Sequence, residues 1–343
     1  MRVAIVSDNA NVVQRLCQAL HGRDKHEMVW VALSAAEAIE RCANSKPDVI
    51  LLDLLVQHGI GVAVTEEIMH AYPCPILIVS DDIAAHAGIA FEAMGAGALD
   101  AVEIPLDEGA GADQRLGQFL QKLETIGKLV RYAQIGIESL DRTASLPSTN
   151  PNLPMVAIGA SSGGPQAIAD IIGRLPAAFP AAIVVVQHVD DRFARELAAW
   201  LAGKSQLTVR TAVAGDVPKA GCVFIAETND HLILDPAGHL NYQQTPKENV
   251  FRPSVDVFFA SVAEHWRGDV AGILLTGMGD DGARGLLTLR EHGHLTIAQD
   301  EVTSAVYGMP KAARAIRAAV KVLPLWGISA ELISWSQHRV RRV

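Results

Sequence analysis

Cysteine is scarce in this 343-residue chain: there are four in all, Cys17, Cys42, Cys74 and Cys222, far apart and with no CxxC pair. That excludes a disulfide frame and a cysteine-built zinc site, and implies buried free thiols in a reducing compartment. Basic residues are also short, 29 Lys and Arg against 38 Asp and Glu, for a net charge of −9. A chain of that sign does not bind nucleic acid or an acidic membrane over a broad face. The closing QHRVRRV is basic, but reads as a solvated tail. No apolar run reaches the ~18 residues of a membrane span, and no signal-peptide pattern opens the chain. A cytoplasmic, soluble protein with no direct membrane insertion is expected. At the Gly159–Gly164 turn the glycine spacing does not fit GxGxxG and no GKS or GKT follows, and His231, His239, His265, His292 and His294 form no HExxH-type ligand set; these histidines read as structural or surface residues.

What is present is a long series of βα units. Half of the residues are hydrophobic, enough for two domains with sizeable cores. RVAIVSD, MVWVAL, DVILLD, PILIVSD and LDAVE are short β-type runs, separated by helical stretches at 10–21, 35–44, 61–71 and 84–94. Five such units predict one doubly wound, flavodoxin-like parallel sheet of five strands. Leu116, Leu120, Leu123, Ile126 and Val130 then fall at helical spacing, a last helix that can continue as a connector, so the first domain spans 1–137. Residues 138–153 have the Ser, Thr, Pro and Asn of a linker. From 154 to 343 a second α/β series follows, with MVAIGA, AAIVVVQ, VAGILLTG and HLTIAQD as its clearest strands. CVFIAE and HLILD read as a β insertion, a hairpin.

In a 2-1-3-4-5 sheet, Asp8 and Asp53 end neighbouring strands and meet at the carboxyl edge, with Ser80 one strand further. Two carboxylates and a hydroxyl can hold a hard cation such as Mg²⁺, and one carboxylate could accept a phosphoryl group. Position alone leaves a second reading equally open, in which both aspartates are helix N-caps.

The second domain concentrates more chemistry. Ser161 follows MVAIGA in a Ser/Gly turn, His188 follows AAIVVVQ, and Asp281 follows VAGILLTG within GMGDDGARG. Each has an ordinary structural role open to it, and Asp280 competes with Asp281. All three nonetheless stand at carboxyl ends of strands, where open α/β sheets place their sites. Pro165 suits the first position of a helix, so the Ser161 turn presents a hydroxyl and backbone N–H groups at a helix N-terminus. That is where a nucleophile and an oxyanion can be held.

Residues 154–343 resemble the catalytic domain of the CheB family of chemotaxis protein-glutamate methylesterases. The resemblance is carried by AIGASSGGP, VVVQH, RPSVDVFF, LLTGMGDDGARG and AQDEVTSAVYGMPKAA. Residues 1–105 resemble a response-regulator receiver, and the family joins both through a linker. The resemblance implies Ser161 as nucleophile, His188 as base and Asp281 as its orienting acid, with oxyanion donors near Ser162 and Gly163 and at Met278. It implies Asp53 as phospho-acceptor, Asp8 and Asp53 as Mg²⁺ ligands, and Ser80 as the receiver hydroxyl. No cofactor is implied for the ester chemistry.

This chain departs from the pattern at Ser7 (an acid in the family), at Val56–Gly61, at Ile104 (a lysine) and at Ala101 (an aromatic). Ser162 is more often Thr, and the APGG segment reads Ala226-Glu227-Thr228-Asn229. Arg252 is expected to support the active-site face, with Pro253-Ser254 starting a helix, and the Gln299–Glu301 and Gly308–Pro310 loops to brace it.

The implied activity is hydrolysis of glutamyl methyl esters on methylated chemoreceptor-type proteins, with deamidation of glutamine by the same chemistry. The implied regulator is a histidine kinase of a chemosensory pathway, acting through a receiver that covers the cleft until phosphorylated. A monomer is expected. The competing class is a non-catalytic signalling adaptor with a degenerate receiver. A transcription factor would need a recognition helix after the linker, and none is legible.

Overall fold

The computed structural model describes residues 1–21, 26–83, 85–104, 116–117, 119–120, 122–124, 126, 153–189, 191–247, 249 and 251–340. The chain divides into two compact units, Met1–Ser139 and Leu140–Val343. The expected linker lies outside the described residues apart from its last residue, as does most of the connector helix.

The first unit is a five-stranded parallel sheet in the order β2-β1-β3-β4-β5. Its strands are β1 (Arg2–Val6), β2 (Glu27–Ala32), β3 (Val49–Asp53), β4 (Ile76–Ser80) and β5 (Asp100–Glu103). β3 and β4 are buried at every position, as a strand covered by helices on both faces must be. The helices are α1 (Ala10–Leu20), α2 (Ala35–Asn44), α3 (Val56–Gly59), α4 (Gly61–Ala71) and α5 (Ala87–Gly95). Asn9 caps α1 and Ser34 caps α2. α5 begins three residues later than its apolar pattern suggests, because Asp82 Oδ1 takes the Ala85 N–H and holds a turn there. Beyond β5, Phe119, Leu123 and Ile126 enter the core, with Leu116 and Leu120 packed beside it. Lys122 Nζ ties this segment to Asp100 Oδ1 (2.8 Å) and the Ala101 carbonyl (2.7 Å).

The second unit holds a seven-stranded, wholly parallel sheet. Its elements, in chain order, are β6 (Met155–Ala160), α6 (Gly164–Ile172), β7 (Ala182–Gln187), α7 (Asp191–Ala202), β8 (Thr208–Thr211), β9 (Cys222–Ile225), β10 (His231–Leu234), β11 (Leu240–Gln243), α8 (Val255–His265), β12 (Val270–Leu274), α9 (Ala283–Glu291), β13 (Leu295–Gln299), α10 (Met309–Ala315), β14 (Lys321–Leu323) and α11 (Leu325–Val340). The strand order is β14-β13-β12-β6-β7-β9-β8.

Two expectations are corrected here. CVFI is not part of a hairpin with HLILD: β9 pairs in parallel with β7 and β8, and the hairpin joins β10 to β11. The C-terminal segment is not simply a tail, since α11 runs through Val340. The sheet order also fixes where a site can lie. β6 is central, and the chain builds outward from it on one side through β7 before returning on the other through β12. The reversal opens a crevice at the carboxyl ends of these strands.

Candidate active site

Ser161, His188 and Asp281 all reach that crevice. Ala160 and Gln187 are register partners on β6 and β7, so Ser161 and His188 follow at adjacent strand ends. The Ser161 backbone is held on both sides: its N–H donates to the Thr276 carbonyl at 3.0 Å, and its carbonyl accepts from Gln187 Nε2 at 2.8 Å. Gly277 lies so close that an added Cβ would stand 2.8 Å from Ser161 Cβ. Only glycine permits that approach, which sets the Gly277–Gly279 turn against the serine.

His188 donates from Nε2 to Asp281 Oδ2 at 2.8 Å, while its Nδ1 is buried without a hydrogen-bond partner. Asp281 is 7% exposed and fully engaged. Oδ2 also accepts the Val255 N–H (2.7 Å), and Oδ1 accepts the Ser254 hydroxyl (2.8 Å) and the Asp256 N–H (3.2 Å). Burial pushes its carboxyl upward, but the bonds from His188, Val255 and Ser254 and the His188 charge outweigh burial and hold it below the ordinary aspartate value. Asp280, by contrast, is exposed. The Ser161 hydroxyl makes no hydrogen bond to His188 in this structure, a bond that commonly tightens only with substrate.

Three backbone donors surround the serine. Among the described residues the N–H groups of Ser162, Gly163 and Met278 have no acceptor. Such an array, at the end of a strand and the start of α6, can receive a developing oxyanion. Gly163 caps α6 at φ +75°, with Ala305 closing the space a side chain would need.

Sequence reasoning missed several supporting residues. Thr276 Oγ1 donates to the Ser162 carbonyl (2.9 Å) and accepts the Val306 N–H (2.8 Å), and its own N–H meets Gln299 Oε1 (2.8 Å). Gln299, in one of the two segments expected to brace this face, and Val306, outside both, therefore hold the serine turn through Thr276. Buried His231 takes the Ser254 N–H on Nδ1 (3.1 Å) and gives Nε2–H to the Pro246 carbonyl (3.0 Å). It thereby holds the cap of α8, from which Asp281 is bonded. Arg252, by contrast, is expected from the sequence to support this face, and it reaches Asp230 Oδ1 and the Gln244 carbonyl, both at 3.3 Å. Phe251 stacks on the His188 ring, 4.7 Å between centroids and 3° from parallel.

In the first unit Asp53 is buried at the end of β3. Oδ2 accepts the Ser7 hydroxyl (2.7 Å) and Oδ1 the Leu55 N–H (3.0 Å). Burial raises its carboxyl, and the negative charges of Asp8 and Asp81 add to that, against the two hydrogen bonds. Asp8 Oδ2 accepts the Gln57 N–H at 3.1 Å. Ser80 Oγ lies within reach of Asp81 and Asp82 rather than of Asp53. Ile104, which stands where the receiver pattern has a lysine, is buried in the hydrophobic core. Two mutually repelling carboxylates are a donor set that suits Mg²⁺, which commonly takes one or two and keeps its waters. Among the described residues no group of three acidic, His or Cys side chains could hold a metal.

The fold and site define a receiver coupled to an open-sheet α/β unit equipped for acyl transfer. A profile of the CheB methylesterase family matches residues 156–332, and that of the response-regulator receiver domain matches 3–112. A protein-glutamate methylesterase/protein-glutamine glutaminase of Burkholderia thailandensis is 49% identical over 100% of this chain and 99% of its own length. One from Cupriavidus pinatubonensis is 47% identical over 97% of each chain. The crystal structure of the Thermotoga maritima CheB methylesterase catalytic domain is 38% identical, with a TM-score of 0.52 over 54% of this chain and 99% of that one. The chain belongs to the CheB methylesterase family.

Proposed function

We propose that this protein hydrolyses γ-methyl esters of glutamate side chains on methylated chemoreceptor-type proteins, and deamidates glutamines there, under control of its receiver. The observation that carries this reading is the buried His188–Asp281 pair, whose second ring nitrogen is free at the strand end beside Ser161.

His188 Nδ1 takes the Ser161 proton as Oγ attacks the ester carbonyl carbon. Asp281, kept ionised, holds Nε2–H and stabilises the imidazolium. The N–H groups of Ser162, Gly163 and Met278 receive the oxyanion, one such donor being worth roughly 3 kcal/mol. Imidazolium Nδ1–H then protonates the departing methoxide, and methanol leaves a Ser161–glutamyl ester. Water enters, Nδ1 removes its proton, and glutamate is released with the serine restored. An amide follows the same path with ammonia as leaving group. The ring nitrogens exchange the roles they have in chymotrypsin-type triads, where Nδ1 meets the carboxylate.

Asp53 is the phospho-acceptor in this reading, and the phosphoryl source is a histidine kinase of a chemosensory pathway. Asp8 and Asp53 would hold Mg²⁺, which screens the negative charge between phosphodonor and carboxylate. The Ser7 hydroxyl donates to Asp53 Oδ2 and the Leu55 N–H to Oδ1, and Ser7 adds no third charge. Among the described residues no helix is long and apolar enough to cross a membrane; we place the protein in the cytoplasm, as a monomer.

The test is acid quench of the enzyme on methylated receptor membranes, followed by mass analysis of the peptide carrying Ser161. A glutamyl adduct on Ser161 supports the mechanism; turnover with no adduct and no dependence on Ser161 overturns it.

A further inference from the structure

The Phe251 side chain is placed against both the base and the oxyanion turn. Its ring lies over that of His188 at 4.7 Å and 3°, an offset parallel stack rather than an edge contact. Its far edge lies against Gly279, where an added Cβ would meet Cζ at 3.3 Å and Cε2 at 3.6 Å. The turn carrying the Met278 N–H is thus packed on the same ring. Phe251 also directly precedes Arg252-Pro253-Ser254, so one short segment brings both the stack and the Ser254 hydroxyl that holds Asp281.

We propose that Phe251 is a positioning residue of the ester hydrolysis: its π face favours the imidazolium form of His188 over the neutral ring, and its bulk keeps the ring in the plane that aims Nδ1 at Ser161. The inference rests on His188 being the base. During attack the ring gains a full positive charge while Asp281 meets only its Nε2 edge. The negative face of a benzene ring is attracted to a cation placed over it, and more weakly to the neutral imidazole. The interaction therefore grows between ground state and transition state, which is the condition for it to raise kcat rather than affinity.

The test replaces Phe251 in the full-length chain by mono-, tri- and pentafluorophenylalanine, a series that keeps the ring's shape while weakening and then reversing its quadrupole. Methanol release from methylated receptor membranes is then followed, with Phe251→Leu and His188→Ala beside the series. The expected result is a stepwise fall in kcat, about tenfold at the pentafluoro ring, with KM and the melting midpoint unchanged. Phe251→Leu falls by a similar factor. A kcat that is flat across the fluorinated series overturns the proposal, even if Phe251→Leu loses activity, because the ring would then only fill space. Retained turnover in His188→Ala would instead overturn the assignment of the base itself.

Discussion

His188 turns Nε2, not Nδ1, to Asp281, at 2.8 Å, and leaves Nδ1 buried and unpaired. Because Asp281 also receives the Ser254 hydroxyl and the Val255 and Asp256 N–H groups, its carboxylate cannot leave that position without breaking several bonds. Asp281→Asn should therefore lower kcat by about 10⁴, the loss found when such a carboxylate no longer fixes the histidine. Asp280→Asn, on an exposed side chain, should change it by less than about threefold. Parallel kinetics of the two variants check this, and a large loss confined to Asp280 would reverse the assignment.

The same carboxylate carries a pH signature. Its native pKa is lowered, so the folded state binds fewer protons than the unfolded state in the window between the two values. The stabilisation is then complete above the unfolded aspartate value, about 3.9, and is lost as pH falls through the native one. Urea unfolding of the catalytic unit across about pH 3 to 7 should show wild type more stable than Asp281→Asn at neutral pH, with the gap closing in acid. A gap that widens in acid would contradict the charge state assigned here.

Gly277 tests the packing of the oxyanion turn against the nucleophile. A methyl group there would meet Ser161 Cβ and the Met309 sulfur. Gly277→Ala should push the serine and the Met278 N–H apart and lower kcat by about 10²-fold, the scale of an ångström-sized misplacement. Circular dichroism should stay native while turnover drops.

For the receiver, Asp53→Asn should abolish any rise in turnover caused by a small phosphodonor with Mg²⁺, and leave basal turnover within about twofold. Measuring methanol release with and without the phosphodonor in both proteins decides it. A rise that persists in Asp53→Asn would move the acceptor elsewhere.

Much of this architecture was legible from the sequence because strands buried on both faces are written as unbroken apolar runs. β3, β4, β6, β7 and β12 all announce themselves in that way. β8, reading TVRT and half exposed, does not, and without it CVFI has no visible partner in the main sheet. A short apolar run cannot by itself be told apart as a central parallel strand or one arm of a hairpin. Ser161 and His188 stood out because each directly follows a readable strand, and Asp281 because it lies in the glycine-rich turn beyond β12. Gln187, His231 and Phe251 did not, since their roles come from what the folded chain brings beside them. Nor could the chain order say which histidine nitrogen meets Asp281; that follows from the orientation of the His188 ring against Asp281.

The most direct test of the central claim is methanol release from methylated receptor membranes by the full-length protein and by Ser161→Ala, each with and without phosphodonor and Mg²⁺. Release that depends on Ser161 and rises with the phosphodonor is the result predicted for a receiver-controlled serine esterase. Equal release from Ser161→Ala, or none from the wild-type chain on a cognate receptor, would contradict it.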